Sequence, residues 1–193
     1  MHLGGRHAND LGLQSGGWTM SWQGSQGPII PGTTIAGGVE EILGKERVTL
    51  SSDGRGAEGA DLGIAVIGET PYAEGRGDSA DLAIDAVDLE TVENLRAAKI
   101  PVVVVLVSGR PLVLGKLEAL ADALVAAWLP GSEGAGVADV LFGAYAPTGK
   151  LSHSWPRSLQ QVPINVGDGD YDPLYPYGHG LTYAASGSTR RNP

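Results

Sequence analysis

Three short stretches of the chain are apolar at nearly every position: Leu62 to Ile67, Pro101 to Val107 and Ala123 to Leu129. A strand wetted on one face alternates apolar and polar residues, whereas a strand covered on both faces does not. The run Val102-Val103-Val104-Val105 is β-branched throughout, which favours a pleated backbone over a helix. Buried strands are therefore predicted near 62–67, 102–107 and 123–128. Helical spacing lies between them. Leu89, Val92 and Leu95 fall on one face of the segment from Asp88. Ser132-Glu133 opens a second amphipathic stretch, with Val137, Val140 and Leu141 on one face and Gly143 at its close. A weaker helix is predicted from Gly38 to Leu43. Alternating strands and helices joined by short Gly/Pro turns predict an α/β fold, a mostly parallel sheet sandwiched between helices. Ligands of such sheets gather beyond the carboxyl ends of the strands, so the loops after Ile67, Val107 and Leu129 are the places to look. The segment from Ser186 to Pro193 is polar and is expected to fray.

Composition narrows the function. The 193 residues suit one domain. Glycine, at 30 residues, is about twice its usual share of roughly 7%, and it sits between the apolar runs as loop chemistry. The formal charge of −9 argues against nucleic acid, whose phosphates need a basic face. It suits a neutral ligand such as a sugar. With no cysteine, disulfides and thiolate metal sites are excluded. No apolar run approaches the ~20 residues of a membrane-crossing helix, and the first residues lack the apolar segment of a signal peptide. His2, His7, His153 and His179 show no metal-ligand spacing. Dinucleotide, P-loop and serine-elbow signatures are all missing. No metal or organic cofactor is expected.

Two clusters carry chemistry. In Gly16-Gly17-Trp18-Thr19-Met20-Ser21-Trp22-Gln23-Gly24, two indoles stand four residues apart among glycines and polar residues. They read either as core tryptophans on one helical turn or as a platform for the apolar face of a pyranose. In Gly68-Glu69-Thr70-Pro71-Tyr72-Ala73-Glu74-Gly75-Arg76-Gly77-Asp78, two glutamates follow a strand directly. They read either as an exposed acidic loop or as the source of a glycosidase proton donor, at Glu74 or Glu69.

The chain resembles glycoside hydrolase family 3 in ordered blocks along nearly its whole length. These include Gly5-Arg6-His7-Ala8-Asn9-Asp10-Leu11-Gly12, the Trp18/Trp22 loop, Gly32-Thr33-Thr34-Ile35 and Gly68 to Gly75. Further along come Ser108-Gly109-Arg110-Pro111, Ala127 to Gly134, Pro147 to Leu151, Pro163 to Asp168, Tyr171 to Leu174 and Tyr177 to Thr182. The likeness is greatest to the exo-β-glucanase and β-glucosidase branch. It implies a six-stranded α/β sandwich over residues 1–185, followed by the polar tail 186–193. It also implies a partner (β/α)₈ barrel, which supplies the nucleophilic Asp and most groups that hold the glucose. No block of this chain corresponds to that barrel. Family roles fall on Glu74 as acid/base residue, with Glu69 the lesser candidate, on Trp22 as the stacking indole and on Trp18 as its support. In the chain by itself Glu74 is expected to be chemically ordinary, because the barrel builds part of the environment that raises an acid's pKa. The implied substrate is a β-glucoside or β-glucan oligosaccharide, and a periplasmic or secreted site is implied for the complete enzyme. The family's domain opens with an apolar strand that here is cut to His2-Leu3-Gly4-Gly5, so an exposed sheet edge is expected beside it. A non-catalytic sugar-binding or barrel-docking module, or an inactive truncated product, is the competing reading.

Overall fold

A computed structural model describes residues 1–183. The expected end of the domain at 185 and the polar tail 186–193 lie outside the described residues. Five parallel strands form one sheet: β1 (His2–Gly4), β2 (Thr49–Ser51), β3 (Gly63–Gly68), β4 (Val102–Val107) and β5 (Ala123–Ala126), in the order β2-β1-β3-β4-β5. Five α-helices accompany them: α1 (Leu11–Ser15), α2 (Ile35–Leu43), α3 (Ala86–Ala97), α4 (Leu117–Leu120) and α5 (Gly134–Leu141).

The centre of the sheet follows from the sequence. β3 and β4 pair from Gly63↔Val102 to Gly68↔Val107. Their alternate side chains feed two separate cores. Ala65, Ile67, Val104 and Leu106 join Val92 and Leu95 of α3 and Leu117 of α4. Ile64, Val66, Val105 and Val107 join Ile35 and Val39 of α2 and Ala138 of α5. Burial on both faces explains why neither strand alternates.

The expectation of six strands is corrected to five among the described residues, and the expected exposed edge beside β1 is corrected too. The three residues of β1 are enough to pair with β2 on one side and β3 on the other. They place β1 inside the sheet, with His2, Leu3 and Gly4 all buried. His2 reinforces this: its two ring nitrogens lie 2.7 Å from Thr49 Oγ1 and 2.9 Å from Ser51 Oγ. β5 stops at Ala126, short of the predicted 128, because Trp128 takes a left-handed φ of 54° that a strand cannot continue through.

Candidate active site

The sheet order reverses between β1 and β3, which opens the loops beyond their carboxyl ends side by side. The loop after β3 carries Glu69 and Glu74. The segment 16–27, which follows β1 and α1, carries Trp18 and Trp22.

The tryptophan loop is folded back onto its own helix. Asp10 caps α1 by accepting from the Leu13 amide at 2.9 Å, and the same carboxylate accepts from Gly27 N at 2.8 Å. Gly12 N donates to Gly27 O, and a Cβ on Gly12 would stand 2.0 Å from Ser25 O. Only glycine permits that approach. The loop is also pressed onto its neighbour. A Cβ on Gly17 would lie 2.0 Å from Tyr72 O, and one on Gly24 would lie 2.6 Å from Pro71 Cβ.

This contact brings the two candidate side chains together across 52 residues of sequence. Trp22 Nε1 donates to Glu74 Oε2 at 2.8 Å. Both residues are open to solvent. Trp18 is 69% exposed and Trp22 55%; the Trp18 amide donates to the Trp22 carbonyl at 3.0 Å, and its φ of 59° sets Trp18 at the turn of the loop, outside both cores. The Glu74 carboxyl is held below its ordinary range, first by the Trp22 indole and then by its own backbone amide, with a smaller contribution from the Trp18 indole. The expectation of an ordinary Glu74 is corrected on that ground, because a donor to the charged form favours it.

Glu69 has a different fate. Arg110 meets its Oε1 through Nε at 2.9 Å and Nη2 at 2.8 Å, and the Tyr72 hydroxyl donates to Oε2 at 3.0 Å. The Glu69 side chain is only 15% exposed. Arg110 also donates to Gly77 O at 2.6 Å and lies 4.5 Å over the Tyr72 ring. Burial and the Glu69 charge push the Tyr72 hydroxyl up to about 12. Glu69 is thus an anchor of the loop base, and Glu74 is the carboxylate left facing solvent. His7 adds a third anchor. Its Nε2 sits 3.0 Å from the Glu69 carbonyl, while its Nδ1 is buried with no partner among the described residues. That geometry assigns the ring proton to Nε2.

Beside the loop lies a cavity of about 500 Å³, lined in part by Arg6, Glu69, Arg76, Asp85, Asp88 and Arg110. Its charges are largely matched from within. Arg6 pairs with Asp85 at 2.9 Å and with Asp88 at 3.1 Å, and Asp88 also accepts from Gly68 N at 3.1 Å. Neither Glu74 nor Trp22 lines it. Among the described residues no cluster of His, Cys, Asp and Glu is suited to a metal ion.

Sequence reasoning singled out Trp18, Trp22, Glu69 and Glu74 but missed Gln23 and His7. Gln23 Oε1 accepts from Ala73 N at 3.0 Å, and its Nε2 donates to Glu74 O at 3.2 Å. Its place beside Trp22 was the only available signal.

The chain is an α/β domain with a parallel sheet that presents a carboxylate and an indole on adjoining loops beyond its strand ends. The sequence profile of the glycosyl hydrolase family 3 C-terminal domain matches residues 1–183, and the chain belongs to that family. An exo-1,3/1,4-β-glucanase from a Pseudoalteromonas species superposes with a TM-score of 0.87 at 44% identity, covering 94% of this chain and 24% of that one. The periplasmic β-glucosidase of Salmonella typhimurium is 37% identical over 150 residues, 66% of this chain and 20% of the relative. The lysosomal β-glucosidase of Dictyostelium discoideum is 31% identical over 210 residues, 94% of this chain and 25% of the relative. The chain thus spans about a quarter or less of the length of these relatives.

Proposed function

We propose that this domain supplies the acid/base residue and an aromatic sugar platform to a retaining β-glucosidase or exo-β-glucanase acting on terminal β-glucosyl bonds. Glu74 is the acid/base residue. Trp22, with Trp18 beside it, faces the leaving-group side of the sugar. A (β/α)₈ barrel, in the same or a separate chain, supplies the nucleophilic Asp. That Asp attacks the anomeric carbon while Glu74 protonates the departing oxygen; Glu74 then takes a proton from the water that releases the sugar. The observation that carries this reading is the meeting of Trp22 and Glu74 at 2.8 Å.

The Trp22 bond favours the charged form of Glu74, the form needed for the second step. The first step needs a proton, so the assembled site has to raise this carboxyl by removing water from it. The pure chain is therefore expected to leave aryl β-glucosides intact, since retention requires two carboxyl groups ~5 Å apart. With a family 3 barrel supplied in trans, turnover should appear. It should vanish in Glu74→Ala and recover partly with azide, which needs no general base. Hydrolysis by the pure chain that is lost in Glu74→Gln would refute the two-domain reading. A sugar-dependent change in indole fluorescence with no gain from any barrel would favour a non-catalytic binding module. The periplasmic relative makes an exported complete enzyme the natural setting.

A further inference from the structure

We propose that Gln23 is the positioning residue that sets Glu74 against Trp22. The geometric part stands on the chain itself; its effect on turnover rests on the glycosidase reading above. A primary amide carries a donor and an acceptor on one rigid plane, and here each end has a partner on the acid loop. The oxygen takes the Ala73 amide at 3.0 Å, and the nitrogen gives to the Glu74 carbonyl at 3.2 Å. The two contacts fall one residue apart and bracket the Ala73–Glu74 peptide.

Gln23 directly follows Trp22, so the same side chain fixes the platform and the acid relative to each other. Ala73 is buried, and no other acceptor for its amide is seen among the described residues. Without Gln23 that amide would lose its partner while staying desolvated. Arg110 cannot substitute. It grips the loop at Glu69 and Gly77, on either side of Glu74; between them the Gly77 amide closes a turn on the Ala73 carbonyl at 2.8 Å, which leaves the Ala73 amide and the Glu74 carbonyl to Gln23. Gly75, with a φ of 83° and open space where a Cβ would stand, lets the backbone make that turn.

The test follows the Trp22 indole N–H resonance in the ¹⁵N-labelled chain, assigned with Trp22→Phe, from about pH 7 down to about pH 3, a range that brackets the ordinary Glu value. In the unaltered chain the resonance should titrate with Glu74, and Glu74→Gln should abolish the titration. Gln23→Leu keeps the bulk of the side chain but neither polar end. It should shrink the titration and move its midpoint up toward the ordinary Glu value. An indole titration unchanged in size and midpoint in Gln23→Leu would overturn the proposal.

If Gln23→Leu does not fold, the unaltered chain decides by hydrogen exchange. The Ala73 amide should exchange far more slowly than those of Gly75 and Arg76, and equally fast exchange would overturn the proposal. With a barrel supplied in trans, Gln23→Leu should lower kcat by ~10²-fold with little change in KM, the loss typical of a small misplacement. An inert complemented wild type would sink the glycosidase reading, while the indole titration still decides the role of Gln23.

Discussion

A carboxylate that accepts from an indole in open water is stabilised as an anion without being buried. Trp22→Phe should therefore raise the Glu74 midpoint toward the ordinary Glu value, read from its side-chain ¹³C shift. No shift would show that the bond is absent in solution. His7 behaves in the opposite electrostatic sense: burial lowers its pKa below the usual 6.5, and a second proton on Nδ1 would find no acceptor among the described residues. The unfolded chain then binds protons more readily than the folded one. The stabilising contribution is complete above about pH 6.5 and is lost as pH falls through the lower folded value. His2, also lowered chiefly by burial, acts in the same direction. The thermal unfolding midpoint should drop between about pH 7 and about pH 5, and His7→Gln should flatten that drop. At this scale Trp22 and Glu74 stood out as candidates because an indole among glycines and a glutamate in a loop after a strand are chemically conspicuous; that the two meet was not readable. By residue chemistry alone Glu69 looked equivalent to Glu74, and only the family resemblance ranked it lower. What separates them is Arg110, 41 residues further on, whose approach to Glu69 no local pattern announces.

At the scale of elements, β3, β4 and α3 were legible because burial on both faces, or on one helical stripe, imposes a pattern long enough to read. β1, β2, α1 and α4 have three to five residues each, less than either period needs. β1 misled for the same reason, since a short strand at a chain start resembles a remnant until its partners are known. The glycines separate likewise once their neighbours are seen. Gly17→Ala would drive a methyl into the Tyr72 carbonyl and part the two loops. It should cost about 1–3 kcal/mol in urea unfolding, the range for overpacking. Gly136 is exposed in α5 with open space at its Cβ. Gly136→Ala should stabilise by up to ~1 kcal/mol, the helix-propensity difference. The opposite order for the two substitutions would show that loop packing differs in solution.

Over the whole molecule, large apolar side chains lie exposed well beyond the tryptophan loop. Tyr145, Val166, Tyr177 and Leu181 join Trp18, Met20 and Trp22 of that loop. Where such side chains gather into one patch, a monomeric domain seldom leaves it uncovered. The isolated chain should therefore self-associate in light scattering at micromolar concentration, and a family 3 barrel should suppress this as it docks. A robust monomer indifferent to the barrel would instead favour an independent module. The α/β class was readable at this scale because layer architecture follows from alternation alone. The partner surface was not, because a coverable face and a merely exposed one share the same residue types.

The position of β1 governs how a second body can be tethered. Its first residue pairs with Thr49 and Gly63 at the amino end of the sheet, whereas Trp22 and Glu74 stand beyond the carboxyl ends. Any polypeptide joined ahead of Met1 thus arrives at the opposite end of the sheet from Trp22 and Glu74. Crossing alongside β3, six residues long, takes ~20 Å at about 3.3 Å per residue. In fusions of a barrel ahead of Met1, turnover should be negligible with connectors too short for that span. It should peak when the connector just reaches and then decline slowly as further residues dilute the local concentration.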